Sequence, residues 1–290
     1  MSRSNTPPYL SPESISTFIK TALAEDIGEG DHTTLATVPA DLVATAQLLI
    51  KDTGILAGVS LARQIYNQVD PNIIVDAKME DGDPIKSGDI AFIVIGSARI
   101  LLSTERLVLN CMQRMSGVAT HTHQLCMMLE GTKVKLMDTR KTTPNFRLIE
   151  KWAVAIGGGL NHRFGLYDRI MIKDNHVDLA GGIRPSIEKV QRYLSTIDKQ
   201  LEIEVETRSL REVEEALATG GVDVIMLDNM SIPEMTQAVN RINGVCKTEA
   251  SGGITEMNLR NVAECGVDFI SMGALTHTVK SLDLSLKVLR

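Results

Sequence analysis

Six short apolar or alternating runs in the second half of the chain are followed by residues that are nearly all charged, polar or glycine. In chain order they are Asp138–Lys141, Lys173–His176, Glu206, Asp228–Asn229, Ser251–Gly253 and Met272–Gly273. Side chains of these types bind anions, hold metal ions and stabilise charge on reacting groups. In a (β/α) barrel the active site is built from residues at the carboxyl ends of the strands. These six positions are therefore the predicted functional site.

Basic residues are concentrated around the first two of these positions. Between Asp138 and His176 the chain has seven Lys or Arg residues and four acidic residues, a net charge of +3, whereas the whole chain carries −6. Arg147 and Lys151 fit a solvated helix face. The remaining basic residues of interest lie where predicted strands end: Arg140, Lys141 and Lys173. A basic pocket in an acidic protein predicts a small, strongly anionic ligand.

Two carboxylates, Glu206 and Asp228, end the next two predicted strands. They could hold Mg²⁺ together with a polyphosphate, or stabilise positive charge on a reacting carbon. They could equally form ion pairs that steady the lysines, and the two interpretations are compatible. Residues at alternate positions share one face of a strand, so Glu202, Glu204 and Glu206 lie on the same face. Of these three, Glu206 is nearest the carboxyl end and is the best placed.

Glycine follows the last two predicted strands, in Ser251–Gly253 and Met272–Gly273. Glycine-rich backbone next to a helix N-terminus is a common way of binding phosphate. One such turn is weak evidence, but two on neighbouring strands favour a phosphate site.

After residue 130, predicted strands alternate with predicted helices. The strands are Val134–Met137, Arg169–Ile172, Leu201–Glu206, Val222–Leu227, Cys246–Ala250 and Asp268–Ser271. Two segments repeat one another, Gly221–Ile225 and Gly266–Ile270, and each opens a strand after a helix. This alternation predicts a parallel sheet covered by helices, either open or closed into a barrel.

The first half has a different pattern. Residues 1–8, which include Pro7 and Pro8, are predicted to be disordered. Apolar spacing predicts a helix within Ser14–Ala24, and short β-like runs broken by glycine fill residues 45–100. Two further helices are predicted at Thr104–Met115 and Val118–Leu129, separated by Gly117.

Composition excludes several classes of protein. The 290 residues are 43% hydrophobic and 23% charged, as in ordinary globular proteins, and the net charge of −6 with only 3% aromatic residues disfavours a nucleic-acid-binding protein. The four cysteines form no CxxC pair, which disfavours a zinc or redox site. Because the first residues lack the apolar core of a secretory signal and no apolar run is long enough to span a membrane, we expect a cytoplasmic protein without membrane contacts.

Nine short motifs, taken in their order and spacing, resemble the quinolinate phosphoribosyltransferase family over residues 26–286. They are Gly30–Thr34, Thr104–Arg106 with Asn110, Asp138–Pro144, His162–Arg163, Ile172–His176, Glu204–Glu206, Leu227–Asn229, Ser251–Gly253 and Ser271–Gly273. Met230 departs from the pattern, since the family often has Phe there, and we expect a difference in packing only. The resemblance implies an N-terminal α/β sandwich domain at residues 9–116 and a catalytic domain at 117–275. The latter would be an incomplete, open α/β barrel of TIM-like type, with residues 276–290 returning to the first domain.

The resemblance also implies roles for the site residues. The catalytic residues would be Lys141, Lys173, Glu206 and Asp228. Quinolinate would be bound by Arg106, Arg140, His162, Arg163 and Lys173. Phosphoribosyl pyrophosphate would be bound by Lys141, Glu206, Asp228, Ser251, Gly252, Gly253, Met272 and Gly273, and Mg²⁺ by Glu206 and Asp228, directly or indirectly.

The implied activity is that of a pentosyltransferase, the carboxylating nicotinate-nucleotide diphosphorylase. With Mg²⁺ and no organic cofactor, it would convert quinolinate and phosphoribosyl pyrophosphate into nicotinate mononucleotide, pyrophosphate and CO₂, a step of de novo NAD biosynthesis. The family further implies a homodimer or higher oligomer in which Arg106 completes the partner subunit's site.

Two alternatives stay open. One is a relative of the same fold, encoded beside molybdate transport genes and acting on another substrate, although the five residues implied for quinolinate favour quinolinate. The other is a non-catalytic anion-binding regulator. Glu206 and Asp228 speak against it, because an anion sensor has no use for carboxylates in its pocket.

Overall fold

The structure, a computed structural model, describes residues 7–289. The helices are α1 (Pro12–Ile27), α2 (His32–Thr37), α3 (Val59–Val69), α4 (Ala98–Met128), α5 (Arg147–Ile156), α6 (Asp174–Ala180), α7 (Ile183–Leu194), α8 (Leu210–Thr219), α9 (Ile232–Ile242), α10 (Glu256–Glu264) and α11 (Ala274–His277). The strands are β1 (Val43–Ile50), β2 (Gly54–Ile55), β3 (Ile74–Ala77), β4 (Pro84–Ile85), β5 (Ile90–Ser97), β6 (Lys135–Met137), β7 (Ile170–Ile172), β8 (Ile203–Thr207), β9 (Val224–Asp228), β10 (Lys247–Ser251), β11 (Phe269–Ser271) and β12 (Leu284–Val288).

The chain divides into two compact units. The first unit comprises the residues up to His123, Thr142–Gly158 and the residues from Ala274 onwards. The second unit comprises Gln124–Lys141 and Gly159–Gly273. The sequence did not predict that residues 142–158 would group with the N-terminal residues.

The first unit contains an antiparallel sheet in the order β12-β1-β5-β3. Alternate residues of β1 are buried, which is the pattern of a strand with one face on a core. In this core Leu48 of β1 lies opposite Phe92 of β5, and the Phe92 ring meets Tyr66 of α3 edge to face at 6.4 Å. Strand β12 forms one edge of the sheet, so the end of the chain is part of the first unit.

Helix α1 begins where the sequence supplies a cap. The Ser11 hydroxyl accepts a hydrogen bond from the Ser14 N–H, and Pro12 occupies the first helical turn. The predicted disorder covers residues 1–8, of which residues 1–6 lie outside the described part of the chain. Pro7 belongs to a turn in which its carbonyl accepts a hydrogen bond from the Leu10 N–H.

The prediction of two helices separated by Gly117 was wrong. Helix α4 runs without interruption through 31 residues, and the predicted domain boundary at 116/117 lies inside it. Gly117 has another function, because a Cβ atom there would lie 2.3 Å from the carbonyl oxygen of Lys280. The glycine therefore lets the C-terminal segment approach the helix closely within the first unit.

The second unit contains a parallel sheet in the order β6-β11-β10-β9-β8-β7. Each of its strands overlaps one of the six predicted strands, with ends that differ by two residues at most. Among the described residues β6 and β7 are the two edges and do not pair with each other, so the sheet is open as expected. Residues Val224–Leu227 are buried on both faces, which is typical of a parallel strand covered by helices.

The repeated Gly-Val-Asp segments serve the same purpose in β9 and β11. Asp223 accepts a hydrogen bond from the Ile203 N–H of the adjacent strand at 2.7 Å, and Asp268 accepts one from the Thr248 N–H at 2.9 Å. Each aspartate therefore ties the start of its strand to the neighbouring strand.

In residues 7–289, no helix combines the length and the apolar character that are needed to cross a membrane.

Candidate active site

The carboxyl ends of the six parallel strands meet at one edge of the sheet in the second unit. Following the strand order, this edge presents Lys173 after β7, Glu206 in β8, Asp228 in β9, Ser251 in β10, Met272 after β11 and Asp138 after β6. The topology thus brings together residues that are up to 134 positions apart in the sequence. All predicted site residues other than Arg106 belong to this unit.

Lys173 and Glu206 form an ion pair across β7 and β8. The Lys173 Nζ lies 3.0 Å from Glu206 Oε2. The lysine side chain is 45% exposed, whereas the glutamate side chain is only 7% exposed. The interpretation in which a carboxylate steadies a lysine is therefore correct for Glu206.

Asp228 is organised by the residue that follows it. Its Oδ2 accepts a hydrogen bond from Asn229 Nδ2 at 2.8 Å, and the Asn229 N–H donates to the Ser251 carbonyl of β10 at 2.9 Å. Gly252 and Gly253 then adopt positive φ values of 86° and 62°, which favour glycine. The turn after β10 is therefore held against the end of β9 before α10 begins.

The turn after β11 uses main-chain atoms. The Met272 N–H donates to the Met137 carbonyl at 3.0 Å, which extends the pairing of β11 with β6. The Met272 side chain is buried, so any ligand at this position meets backbone.

The charges of two arginines, Arg140 and Arg163, interact in the basic part of this edge. Burial and the nearby charge of Arg140 both lower the pKa of Arg163. Lys141 is exposed in the same segment as Arg140, where its N–H donates to the Thr139 hydroxyl at 3.0 Å. Like charges are held close together here, and an anion bound between them would relieve their repulsion.

A buried cluster supports this basic part. His162 Nε2 lies 3.1 Å from Glu204 Oε2 and 3.5 Å from Glu249 Oε2, and both carboxylates are fully buried. His162 Nδ1 accepts a hydrogen bond from the Arg163 N–H at 2.7 Å, and the His162 N–H donates to Asp138. Both ring nitrogens of His162 thus have partners in the protein, and one of these partners sets the backbone of Arg163.

The charges within the cluster are partly balanced. Burial lowers the pKa of His162, but the hydrogen bonds and charges of Glu204 and Glu249 outweigh this and raise it to about 9. Burial raises the pKa of Glu249. Glu204 has a second cationic neighbour, since a guanidinium nitrogen of Arg169 lies 3.3 Å from its Oε2. Because Nδ1 accepts the Arg163 N–H, the ring hydrogen of His162 lies on Nε2, which faces the two carboxylates.

This arrangement argues against a metal ion in the cluster, although one donor atom from each of the three side chains lies within 4.8 Å of the others. A protonated Nε2 has no lone pair for a metal, and the Arg169 guanidinium already approaches the Glu204 oxygen.

Comparison with known proteins decides the family. The model of the N-terminal domain of quinolinate phosphoribosyl transferase matches residues 31–116, and that of its C-terminal domain matches residues 118–287. The chain belongs to the quinolinate phosphoribosyltransferase family.

Individual relatives agree with this assignment over nearly the whole chain. A chloroplastic nicotinate-nucleotide pyrophosphorylase [carboxylating] of Arabidopsis thaliana is 45% identical, over 97% of this chain and 85% of its own length. A probable nicotinate-nucleotide pyrophosphorylase [carboxylating] of Bacillus subtilis is 42% identical, over 91% of this chain and 90% of its own. The crystal structure of NadC from Streptococcus pyogenes superposes with a TM-score of 0.90 at 40% identity, covering 99% of this chain and all of that one.

Several residues important to the local structure were not predicted. Glu249 was missed, and Glu204 was given no role beyond its place in the Glu204–Glu206 motif and on the face it shares with Glu206. An acidic residue in the middle of a parallel strand that is covered by helices is the signal that marks both. Met230, the residue that departs from the family pattern, is buried.

The segment after Lys141 has a buried anchor within the first unit. The fully buried Glu150 accepts hydrogen bonds from the Thr143 N–H and hydroxyl, both at 3.0 Å, and from Arg114 at 2.7 Å. Lys151 beside it is also fully buried, so its assignment to a solvated helix face was wrong. The reason is that α5 buries most of its circumference, including both of these charged residues.

Arg106 lies on α4 in the first unit, and its side chain is exposed.

Proposed function

We propose that the chain transfers the phosphoribosyl group of phosphoribosyl pyrophosphate to quinolinate, with Mg²⁺ and with decarboxylation. The products would be nicotinate mononucleotide, pyrophosphate and CO₂. The observation that carries the proposal is the kind of group at each strand end: basic residues follow the two edge strands β6 and β7, acids end β8 and β9, and glycine-rich turns follow β10 and β11. This set of groups suits two anionic substrates that react at a carbon where positive charge develops.

Quinolinate is a dicarboxylate and would be bound by the basic residues that follow β6 and β7. Arg140 and Arg163 lie close enough for their charges to interact, as required of two groups that bind one anion. Lys173 adds a half-exposed ammonium group. His162 would act on quinolinate indirectly, through Arg163, because its Nδ1 accepts the Arg163 N–H. Its Nε2 faces Glu204 and Glu249.

Phosphoribosyl pyrophosphate belongs at the acidic and glycine-rich positions. Its 5′-phosphate would lie against the backbone of Ser251–Gly253 and Met272–Gly273, and its ribose hydroxyls would donate to Glu206 and Asp228. Lys141, which is exposed, would meet the pyrophosphate. The two acids lie on adjacent strands, so both can reach the same ribose.

The reaction follows from this placement. The bond from ribose C1 to pyrophosphate breaks, and the carboxylates of Glu206 and Asp228 stabilise the positive charge that develops on the ribose. The pyridine nitrogen forms the new bond to C1 and becomes cationic. The ring then takes up the electron pair that is released when the adjacent carboxylate leaves as CO₂, and a proton from solvent replaces that carboxylate.

The acidic residues also fit Mg²⁺, which prefers oxygen ligands and keeps several waters. Asp228 is half-buried at a strand end, whereas Glu206 Oε2 is held by Lys173, so Asp228 would hold the ion and Glu206 would act through water. When bound, Mg²⁺ would neutralise charge on the leaving pyrophosphate.

The partner and compartment complete the proposal. The protein would work as a homodimer or higher oligomer in which Arg106 completes the partner subunit's site. A cytoplasmic location stays a prediction from the sequence.

The test is direct. Protein, Mg²⁺, phosphoribosyl pyrophosphate and quinolinate are mixed, and nicotinate mononucleotide is measured by chromatography. We expect product with quinolinate and little when nicotinate replaces it. Product with nicotinate and none with quinolinate would overturn the choice of substrate.

A further inference from the structure

Asn229 has an unusual backbone conformation for a residue that directly follows a strand. Its φ is 54°, in the left-handed region that few residues other than glycine adopt. Asn243 has a similar φ of 43°, but it caps the end of α9, where such a conformation is common. Asn229 ends no helix. It directly follows Asp228, the last residue of β9.

The conformation gives the Asn229 side chain two neighbours. Its Nδ2 donates to Asp228 Oδ2 at 2.8 Å. Its amide also lies over Gly252, where a Cβ atom would be 2.3 Å from Asn229 Oδ1 and 2.5 Å from Cγ. One amide group thus touches both the carboxylate at the end of β9 and the glycine turn after β10.

We propose that Asn229 is a positioning residue that fixes the Asp228 carboxylate relative to the Gly252 turn. The inference rests on the proposed function, in which Asp228 accepts ribose hydroxyls and the turn receives the 5′-phosphate of the same substrate molecule. The hydrogen bond orients the carboxylate through Oδ2 and does not use Oδ1. The contact with Gly252 sets how closely the backbone of the turn approaches β9.

This role predicts an effect on one substrate only. Asp228 and Gly252 serve phosphoribosyl pyrophosphate, whereas quinolinate is assigned to Arg140, Arg163 and Lys173. Loss of the amide should therefore weaken the binding of phosphoribosyl pyrophosphate and leave the binding of quinolinate unchanged. A purely structural turn would instead change both KM values together or neither.

The principal variant is Asn229→Gly, which keeps the backbone conformation and removes the amide. A second variant, Asn229→Asp, keeps the size and replaces the donor with a carboxylate facing Asp228. The matched control is Asn243→Gly, which removes the same side chain from a left-handed position at the end of α9. Thermal unfolding establishes that each variant is folded.

Initial rates are measured with each substrate varied in turn. We expect Asn229→Gly to raise KM for phosphoribosyl pyrophosphate by about tenfold, as for the loss of one hydrogen bond to a charged group. Asn229→Asp should raise it further through repulsion between carboxylates, and KM for quinolinate should change less than twofold. Asn243→Gly should leave both values unchanged. Equal changes in both KM values, or no change, would overturn the proposal.

A double-mutant cycle tests the contact with Gly252. Gly252→Ala inserts a methyl group against the Asn229 amide, so it should do less harm in the Asn229→Gly background than in the wild type. Independent, additive effects would contradict the contact. Binding of phosphoribosyl pyrophosphate alone, measured by calorimetry, separates this inference from the proposed function. Wild-type protein that binds it but makes no product defeats the proposed reaction, whereas equal affinity in wild type and Asn229→Gly defeats only the role of Asn229.

Discussion

The ammonium group of Lys173 and the carboxylate of Glu206 are 3.0 Å apart and join the carboxyl ends of β7 and β8. The pair lies at the point where the cationic part of the strand ends meets the acidic part. Its two members differ in exposure, since the lysine is half-exposed and the glutamate is nearly buried. Removing one partner should therefore not be equivalent to removing the other.

Glu206→Gln should abolish most turnover with little loss of stability. The variant leaves an ammonium group that water can reach, so we expect a loss below about 1 kcal/mol. Lys173→Met leaves a buried carboxylate without its cation and should cost more, about 3 kcal/mol. Loss of the negative charge beside the ribose should lower kcat by about 100-fold. Urea unfolding and steady-state kinetics measure the two effects, and wild-type turnover in Glu206→Gln or Glu206→Ala would refute the assigned role.

Lys141→Ala should fold normally and lose most activity, because the exposed lysine has no part in the core and is assigned to the pyrophosphate. Arg106→Ala should do the same by removing the group that we propose completes the partner subunit's site. Mixing the two inactive proteins after reversible dissociation should restore about a quarter of wild-type activity. Half of the randomly formed dimers are then mixed, and each mixed dimer has one intact site of two. No recovery despite demonstrated subunit exchange would contradict sharing of Arg106.

Glu249→Gln should weaken the binding of quinolinate and leave the binding of phosphoribosyl pyrophosphate unaffected. The carboxylate is fully buried 3.5 Å from His162 Nε2, and His162 holds the Arg163 N–H through Nδ1. We expect KM for quinolinate to rise about tenfold, since one of the two carboxylates that face the imidazole loses its charge. Glu256→Gln, an exposed acid in the first turn of α10, serves as the control for loss of one negative charge. A rise in KM for phosphoribosyl pyrophosphate instead would show that the cluster serves the other substrate.

The second unit could be predicted from sequence because its signals are local. The parallel strands of this sheet appear as short apolar or alternating runs, and a polar residue or glycine at the end of each run marks one edge of the sheet. Glu206 and Asp228 were predicted in this way, and the folded sheet places both at that edge. Glu249 was not, because its partner His162 is 87 positions away and only the folded sheet brings them together.

Two errors in the first unit have the same origin. Gly117 was interpreted as a helix break because glycine commonly ends helices, whereas its reason is the carbonyl of Lys280, far along the chain. Lys151 was placed on a solvated face because it is charged, but the first unit buries it beside Glu150. Long-range packing decided both positions, and local pattern carries no signal for it.

In the proposed reaction, one site couples phosphoribosyl transfer to decarboxylation. For the measurement, quinolinate is labelled in the carboxylate next to the ring nitrogen. Labelled CO₂, unlabelled pyrophosphate and nicotinate mononucleotide are then quantified in the same reaction. We expect equal amounts of all three, and no labelled CO₂ when phosphoribosyl pyrophosphate is omitted. Labelled CO₂ without phosphoribosyl pyrophosphate, or a mononucleotide product that retains the label, would contradict it.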